Sequence, residues 1–163
     1  MASRRKYGVL LVLFMLIVIG GVVTFLVLKH RANSPQAKEA RAYTILRIDM
    51  PVYATKRPDK YKLQRAYSED SGSIVLSSYS SDKGVIGVTQ QPKPAVDPFG
   101  SIKPVSTFVT ESGDARLLPD NEGNPYIIIN TPFTWVIVHT QSIKITSDDL
   151  KAFCLTLQKV SQE

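Results

Sequence analysis

Between Tyr7 and Leu28 the chain reads YGVLLVLFMLIVIGGVVTFLVL, 22 residues without a charge. An α-helix rises about 1.5 Å per residue, so this one reaches roughly 33 Å and can cross a hydrocarbon core of about 30 Å. A cleaved signal peptide is the competing reading, because Ser3, Arg4, Arg5 and Lys6 form a basic n-region. The run is longer than the roughly 7 to 15 apolar residues of such a peptide, and the KHRANS that follows opens with charge and has no small-x-small cleavage site. No Cys stands directly after it to carry a lipid. The expectation is an uncleaved signal anchor.

Orientation rests on the tail. Arg4, Arg5 and Lys6 precede the apolar run, and Lys29, Arg31, Lys38 and Arg41 follow it, so a bare count of basic residues leans slightly toward a cytoplasmic C-terminal domain and the positive-inside rule does not support the opposite orientation. The very short tail before the first apolar segment favours translocation of the long C-terminal part. The expected organisation is a short cytoplasmic tail at residues 1–6, a transmembrane helix at 7–28, a juxtamembrane stalk at 29–44 and an extracytoplasmic domain at 45–163, the protein sitting in the cell membrane as a single-pass chain. Within the helix, Gly20, Gly21 and Thr24 give a small-x-x-x-small spacing that permits close helix approach.

The net charge of +6 is unevenly spread. Residues 29–65 hold ten Lys and Arg against three Asp and Glu, and residues 66–163 hold seven against eleven. A juxtamembrane basic excess fits lipid headgroups, each basic side chain contributing on the order of 1 kcal/mol within a Debye length of an anionic surface. A solvated stalk fits the same composition equally well. The single Cys154 excludes an internal disulfide, so the domain must be held by its core.

Along the chain, Ser34 and Pro35 suit an N-cap and first helical position, giving a short stalk helix or a flexible linker. Strand patterns follow at Tyr61–Ser68, Gly72–Ser80 and Val85–Gln91, the last two joined by SSDKG as an antiparallel hairpin. QQPKPAVDPFGS holds three prolines, which cannot donate to a ladder, and reads as a surface crossing. STFVTES and ARLLPD flank Gly113-Asp114, and NPYIIIN and FTWVIVHTQ flank Thr131-Pro132. In ITSDDLKAFCLTLQKV, Thr146 and Asp149 form a capping box, with Ile145 and Leu150 placed as a hydrophobic staple. Asp148, Asp149 and Lys159 suit the two ends of the helix dipole. Leu150, Phe153, Cys154, Leu157 and Val160 make one apolar stripe, expected to seat on the Phe133, Trp135, Ile137, His139 face of the neighbouring strand. The fold class is α+β: an N-terminal transmembrane helix, then an antiparallel β-sheet domain packed by a C-terminal helix.

This order of segments, PVYATKRPDKYKL, SIVLSSYS, VIGVTQQPKP, ESGDARLL, TWVIVHTQ and TSDDLKAFCLTL, resembles small uncharacterised bacterial membrane-anchored ectodomains. These are akin to a domain of unknown function at the C-terminus of some anti-sigma-factor-like and lipoprotein-carrier-like proteins. The likeness covers roughly Pro51 to Val160. It departs at RPDKY, where that family has Leu-Pro-x-Gly-Tyr and this chain has Arg57 and Lys60. The resemblance implies a compact antiparallel α+β domain without known catalytic residues.

Reactive chemistry is sparse. His139 is the one His beyond the membrane exit at His30, no G-x-S-x-G occurs, and Cys154 lies on an apolar stripe where a thiol acts as a small hydrophobe. There is no H-E-x-x-H or C-x-x-C, and Asp120 to Asn124 lacks calcium-loop spacing, so no metal, no cofactor and no enzymatic activity is expected. Lys56, Arg57, Lys60, Lys62 and Arg65, interleaved with Tyr53, Tyr61 and Tyr67, are the candidate contact with a polyanion or membrane surface. A solvated face is the plainer reading of the same residues. Without a basic excess over the whole domain, nucleic acid is not an expected partner. The expected function is a non-catalytic extracytoplasmic binding or scaffolding domain whose partners are the lipid bilayer and an envelope protein or polyanionic polymer. The alternative is a carrier or sensor of an apolar ligand in the bacterial cell envelope, which would need a cavity between sheet and helix.

Overall fold

The computed structural model describes residues 38, 41–43, 46, 48, 50–119 and 124–160. The apolar run expected to cross the membrane, the tail before it, most of the stalk and residues 120–123 lie outside these. Among the described residues no helix is long and apolar enough to cross a membrane.

The α+β class holds. From Tyr53 on, the described residues form nine strands and one eight-residue helix in the order β1 (Tyr53–Thr55), β2 (Lys62–Glu69), β3 (Ile74–Ser81), β4 (Gly84–Pro92), β5 (Ser106–Thr110), β6 (Gly113–Leu118), β7 (Tyr126–Asn130), β8 (Thr134–Thr140), α1 (Ser147–Cys154) and β9 (Leu157–Lys159). Seven of the strands form one antiparallel sheet in the order β2-β3-β4-β8-β7-β6-β5, and β1 pairs with β9 in a separate ribbon. The expected β3–β4 hairpin is present, with Gly84 at φ 141° closing the turn. Its tip is tied to the helix start, where Lys83 Nζ donates to Asp149 Oδ1 at 2.7 Å.

One face of the sheet, here the inner face, carries Ile86, Val88, Ala115, Leu117, Ile127, Ile129, Val136 and Val138, and α1 covers it with Leu150, Phe153 and Cys154. Those three helix residues are fully buried, and Phe153 meets Tyr61 edge-on at 4.9 Å and Tyr79 at 5.2 Å between ring centroids. Full burial of side chains such as these stabilises by about 1.5–3 kcal/mol each. The capping box forms as expected: Asp149 N–H donates to Thr146 Oγ1, and Thr146 N–H to Asp149 Oδ2. Ile145 and Leu150, the staple pair, are both buried in that core. The Lys83 ammonium and the Thr146 donors hold the Asp149 carboxyl down to about 2. Its contribution to stability is therefore present above the ordinary carboxylate range and is lost as pH falls toward that value.

Two sequence expectations are corrected. The helix does not continue to Val160. It ends at Cys154, where Thr156 returns both its N–H and its hydroxyl to Phe153 O at 2.8 and 2.7 Å, and Leu157–Lys159 becomes β9, so Lys159 is not at a helix end. The i, i+3, i+4, i+7 spacing misleads because Leu157 is buried in the same core from an extended backbone. The stripe also does not seat on the Trp135 face. Val136 and Val138 face the helix, while Trp135 and Ile137 point to the opposite, outer face and Phe133 is 70% exposed.

Topology explains what covers Trp135. β4 lies beside β8, so the chain must pass β8, β7 and β6 to begin β5 at the far edge. Residues 93–105, the proline-rich segment, make that passage as a strap on the outer face. Phe99 and Ile102 pack on Leu118, Ile128 and Trp135, with the Phe99 and Trp135 rings 5.9 Å apart and 29° from parallel. The strap is fixed by Arg116 Nη2 donating to Asp97 Oδ2 at 2.6 Å, Lys93 N–H to Phe133 O at 2.9 Å and Val105 N–H to Leu117 O at 2.8 Å. The consecutive Ile127, Ile128 and Ile129 are all fully buried because β7 is covered on both faces.

The β1–β9 ribbon is docked by polar side chains. Buried Gln90 accepts from Tyr53 N–H at 2.7 Å and donates to Tyr53 O at 2.9 Å, taking the place of a neighbouring strand. Thr134 Oγ1 donates to Pro51 O, and Ser112 Oγ to Leu157 O, both at 2.9 Å. Beside the ribbon, Tyr43, Ile48, Met50, Val52, Ala54 and Val75 form a second cluster, and the Tyr43 hydroxyl meets that of Tyr79 at 2.8 Å. Replacing Gln90 with Leu keeps the volume and orphans both backbone groups of Tyr53. At about 1–3 kcal/mol for each unsatisfied buried group, urea unfolding of Gln90→Leu should show a loss of about 2–4 kcal/mol.

Candidate functional site

The strap leaves part of the outer face bare. On β2, β3, β4 and β8 the cross-strand row Arg65, Ser78, Gly87, His139 runs across the sheet, and the adjacent row is Tyr67, Leu76, Thr89, Ile137. Small residues at Ser78 and Gly87 sit between taller neighbours, so the surface sinks into an open trough of about 540 Å³. Val85, Gln141 and Ser142 complete one end, and among the described residues no carboxylate lines it.

Two local features shape the trough. The first is a bulge in β2. Leu63 pairs with Tyr79 and Arg65 with Ser78, so Gln64 is the extra residue. An extra residue shifts the alternation, which puts Lys62 and Arg65 on the same outer face although they are three apart. Arg65 then lies over Tyr67, its guanidinium carbon 4.7 Å from the ring centroid. The second is Gly87, in a central strand where glycine ordinarily weakens pairing. A Cβ there would stand 2.5 Å from His139 Nε2 and 2.6 Å from Cε1, so the missing side chain is what lets the imidazole lie against the sheet. His139 as a residue is exposed, but desolvation of the ring where it lies against the sheet lowers its pKa, which favours the neutral form, one nitrogen donating and the other accepting. The trough therefore offers a cation, an aromatic edge, hydroxyls and a neutral imidazole.

The five basic residues singled out in the sequence do not form one patch. Lys56 Nζ is held by Glu111 at 2.6 Å, and Arg57 grips Asp59 through Nε and Nη2 at 3.0 and 2.9 Å. That pair raises the Arg57 pKa and lowers that of Asp59, each mainly through their shared hydrogen bonds. Lys60 stands 5.2 Å over the Tyr61 ring, while Lys62 and Arg65 project along β2. Two of the interleaved aromatics, Tyr53 and Tyr61, are core residues, leaving Tyr67 with the cations. The structure thus separates Lys56 and Arg57, already matched by acids, from Lys60 in the turn before the edge strand and Lys62 and Arg65 on it.

Other candidates lie apart from the trough. Cys154 is sealed under the sheet, where burial pushes its thiol well above the ordinary range. Among the described residues no group of His, Cys, Asp and Glu is arranged to hold a metal ion. A second depression, lined by Asp97, Thr107, Val109, Asp114, Arg116 and Asn130, opens on the other side of the strap. Sequence reasoning did not find the trough, although a glycine inside a strand pattern, as in VIGVTQQ, is a sign of close approach. No family model matches the chain, and no curated protein and no solved structure is significantly similar to it.

Because the neutral imidazole is favoured in the folded state, the His139 pKa should fall below its ordinary value of about 6.5 when followed by NMR. The unfolded chain binds that proton more readily, so this group's share of stability declines as pH drops below about 6.5 and levels off beneath the folded pKa. Gly87→Ala should push the ring outward and return its pKa toward the ordinary value.

Proposed function

We propose that this chain is a single-pass membrane-anchored protein whose extracytoplasmic α+β domain binds an anionic partner of the cell envelope without catalysing a reaction. The supporting observation is the trough: a depression on the sheet face opposite the helix whose one charged lining residue is Arg65, with Lys62 further along the same face of β2 beside a separate depression that Asp59 and Asp82 also line. Anchoring is supported by the uncharged run from Tyr7 to Leu28, and the basic excess of residues 29–65 suits an anionic bilayer close by. His139 has no acid beside it among the lining residues to orient or share a proton, which supports binding over acid-base work. The rival reading, a carrier of an apolar ligand, calls for space between sheet and helix. Leu150, Phe153, Cys154, Ile127, Val136 and Val138 fill that space, each fully buried.

Retention on heparin, a soluble polyanion, tests the binding. Lys62→Glu with Arg65→Glu should lower the salt needed for elution, whereas Lys56→Glu should change it little because Lys56 is already matched by Glu111. Equal loss from both would show that only net charge is read. Ile143 is 95% exposed and Cys154 is buried, so Ile143→Cys offers a single reactive thiol. A membrane-impermeant maleimide should label it in intact cells, and labelling only after permeabilisation would reverse the proposed orientation.

A further inference from the structure

The two edges of the seven-stranded sheet are built differently. β2 bears exposed Lys62, Arg65 and Glu69, is bulged at Gln64, and has Leu46, Ile48 and Met50 beside it, where Ser68 Oγ donates to Leu46 O at 3.3 Å. Charge, bulge and cover are the devices that keep an edge from pairing with another chain. Among the described residues β5 has none of them. Ser106–Thr110 contains no charge and no proline, and its register against β6 is unbroken from Ser106↔Leu117 to Thr110↔Gly113. Val105 and Val109 beside this edge are 67% and 73% exposed. Val, Thr and Phe are strong strand formers, so the edge is a good template for one more strand.

We propose that β5 pairs with β5 of a second copy of this chain across a two-fold axis at Phe108, joining two seven-stranded sheets into one. The occupant is a second copy because the strand has nearly the same chemistry in both directions about Phe108. Ser106 and Thr110 stand two residues away on either side, and Thr107 and Val109 one residue away. An isologous interface requires this self-complementarity, since each residue must suit its two-fold mate. Antiparallel pairing sets exposed Thr107 opposite Val109 of the second copy, a β-branched pair of the kind that stabilises sheets, and Ser106 opposite Thr110. The flanks agree in charge. Lys103 precedes β5 and Glu111 follows it, so the two-fold brings the cationic flank of one copy to the end of the strand where the other carries its carboxylate. The Glu111 side chain is 63% exposed beside Lys56, so it can meet both cations.

Crosslinking of the full chain in detergent tests the register. Opposed residues of antiparallel strands have Cα atoms about 4.5–5.5 Å apart, inside the roughly 4.4–6.8 Å that a disulfide spans. Buried Cys154 adds no background. A mixture of Thr107→Cys and Val109→Cys chains should give several-fold more disulfide-linked dimer on mild oxidation than either alone. In sedimentation at micromolar concentration the unmodified chain should be a dimer and Val109→Lys a monomer, with an unchanged circular-dichroism spectrum because Val109 is exposed within the single copy. Thr107→Lys, on the same strand, repeats the test. A monomeric unmodified chain, a dimer that survives both lysines, or crosslinking no better in the mixture than alone would each overturn the proposal.

Discussion

The pairing of β4 with β8 is the constraint from which most of this architecture follows. It sets two meanders, β2-β3-β4 and β5-β6-β7-β8, edge to edge, with the two strands furthest from the junction at the open edges. A chain that leaves β4 in the middle of the sheet and must start β5 at one edge has to cross three strands. Placing that crossing on the outer face leaves the inner face to α1 and the β1–β9 ribbon. The crossing also decides which outer residues are core. Trp135, Ile128 and Leu118 lie under it and are buried, whereas Arg65, Ser78 and His139 lie beyond it and face solvent. The trough is the part of a two-sided sheet that the strap does not reach.

The inner face solves a different problem. The β1–β9 ribbon is only three residues long, too short to be stable alone. Its apolar groups divide between two clusters, Tyr53 and Leu157 in the main core, Val52 and Ala54 in the smaller one. Gln90, Thr134 and Ser112 supply the hydrogen bonds that a neighbouring strand would otherwise give. A buried amide bonded to both the N–H and the C=O of one residue fixes the ribbon's position more narrowly than apolar contact could, because a shift of one residue would leave both partners unsatisfied.

How far this was legible in the sequence depends on the range of the interaction that decides each feature. The capping box at Thr146 and Asp149 and the β3–β4 hairpin are set by residues within a few positions of one another, and both formed as read. The proline-rich crossing was legible too, because missing N–H groups act locally, though nothing in its composition said which face it would cross. That face determines the side on which Trp135 is buried. With strap and helix each covering one side, β8 is apolar on both, and bulk at Phe133, Trp135 and Ile137 cannot indicate where the helix sits. The helix end was misread because Leu157 satisfies a helical spacing and a β1 partner alike. The trough needed cross-strand register: Gly87 and His139 are 52 positions apart in the chain and are opposed only because Ile86 pairs with Thr140. The basic residues were identified by type, but which of them meet acids depends on Glu111, again far away in sequence.

The two surfaces left open lie at opposite ends of one sheet, and their chemistry differs in kind. The β2 end is charged and bulged, features that resist strand addition and suit an anionic partner. The β5 end is neutral and regular, features that suit strand addition. Joining two copies side by side through β5 places the two-fold axis perpendicular to the sheet, because paired edge strands remain in one surface. Rotation about such an axis leaves the outer face of each copy outward, so both troughs open on the same side, at the two far ends of the joined sheet. A partner with repeated negative charge, such as a polymer or a bilayer surface, can then engage both troughs at once. The second engagement is intramolecular, and avidity can exceed either single affinity by about 10²–10⁴-fold without any new contact. A shallow trough with few charges, weak when used alone, becomes an effective contact under that arrangement. Dimerisation through the neutral edge and binding beside the charged one would thus act as parts of one design.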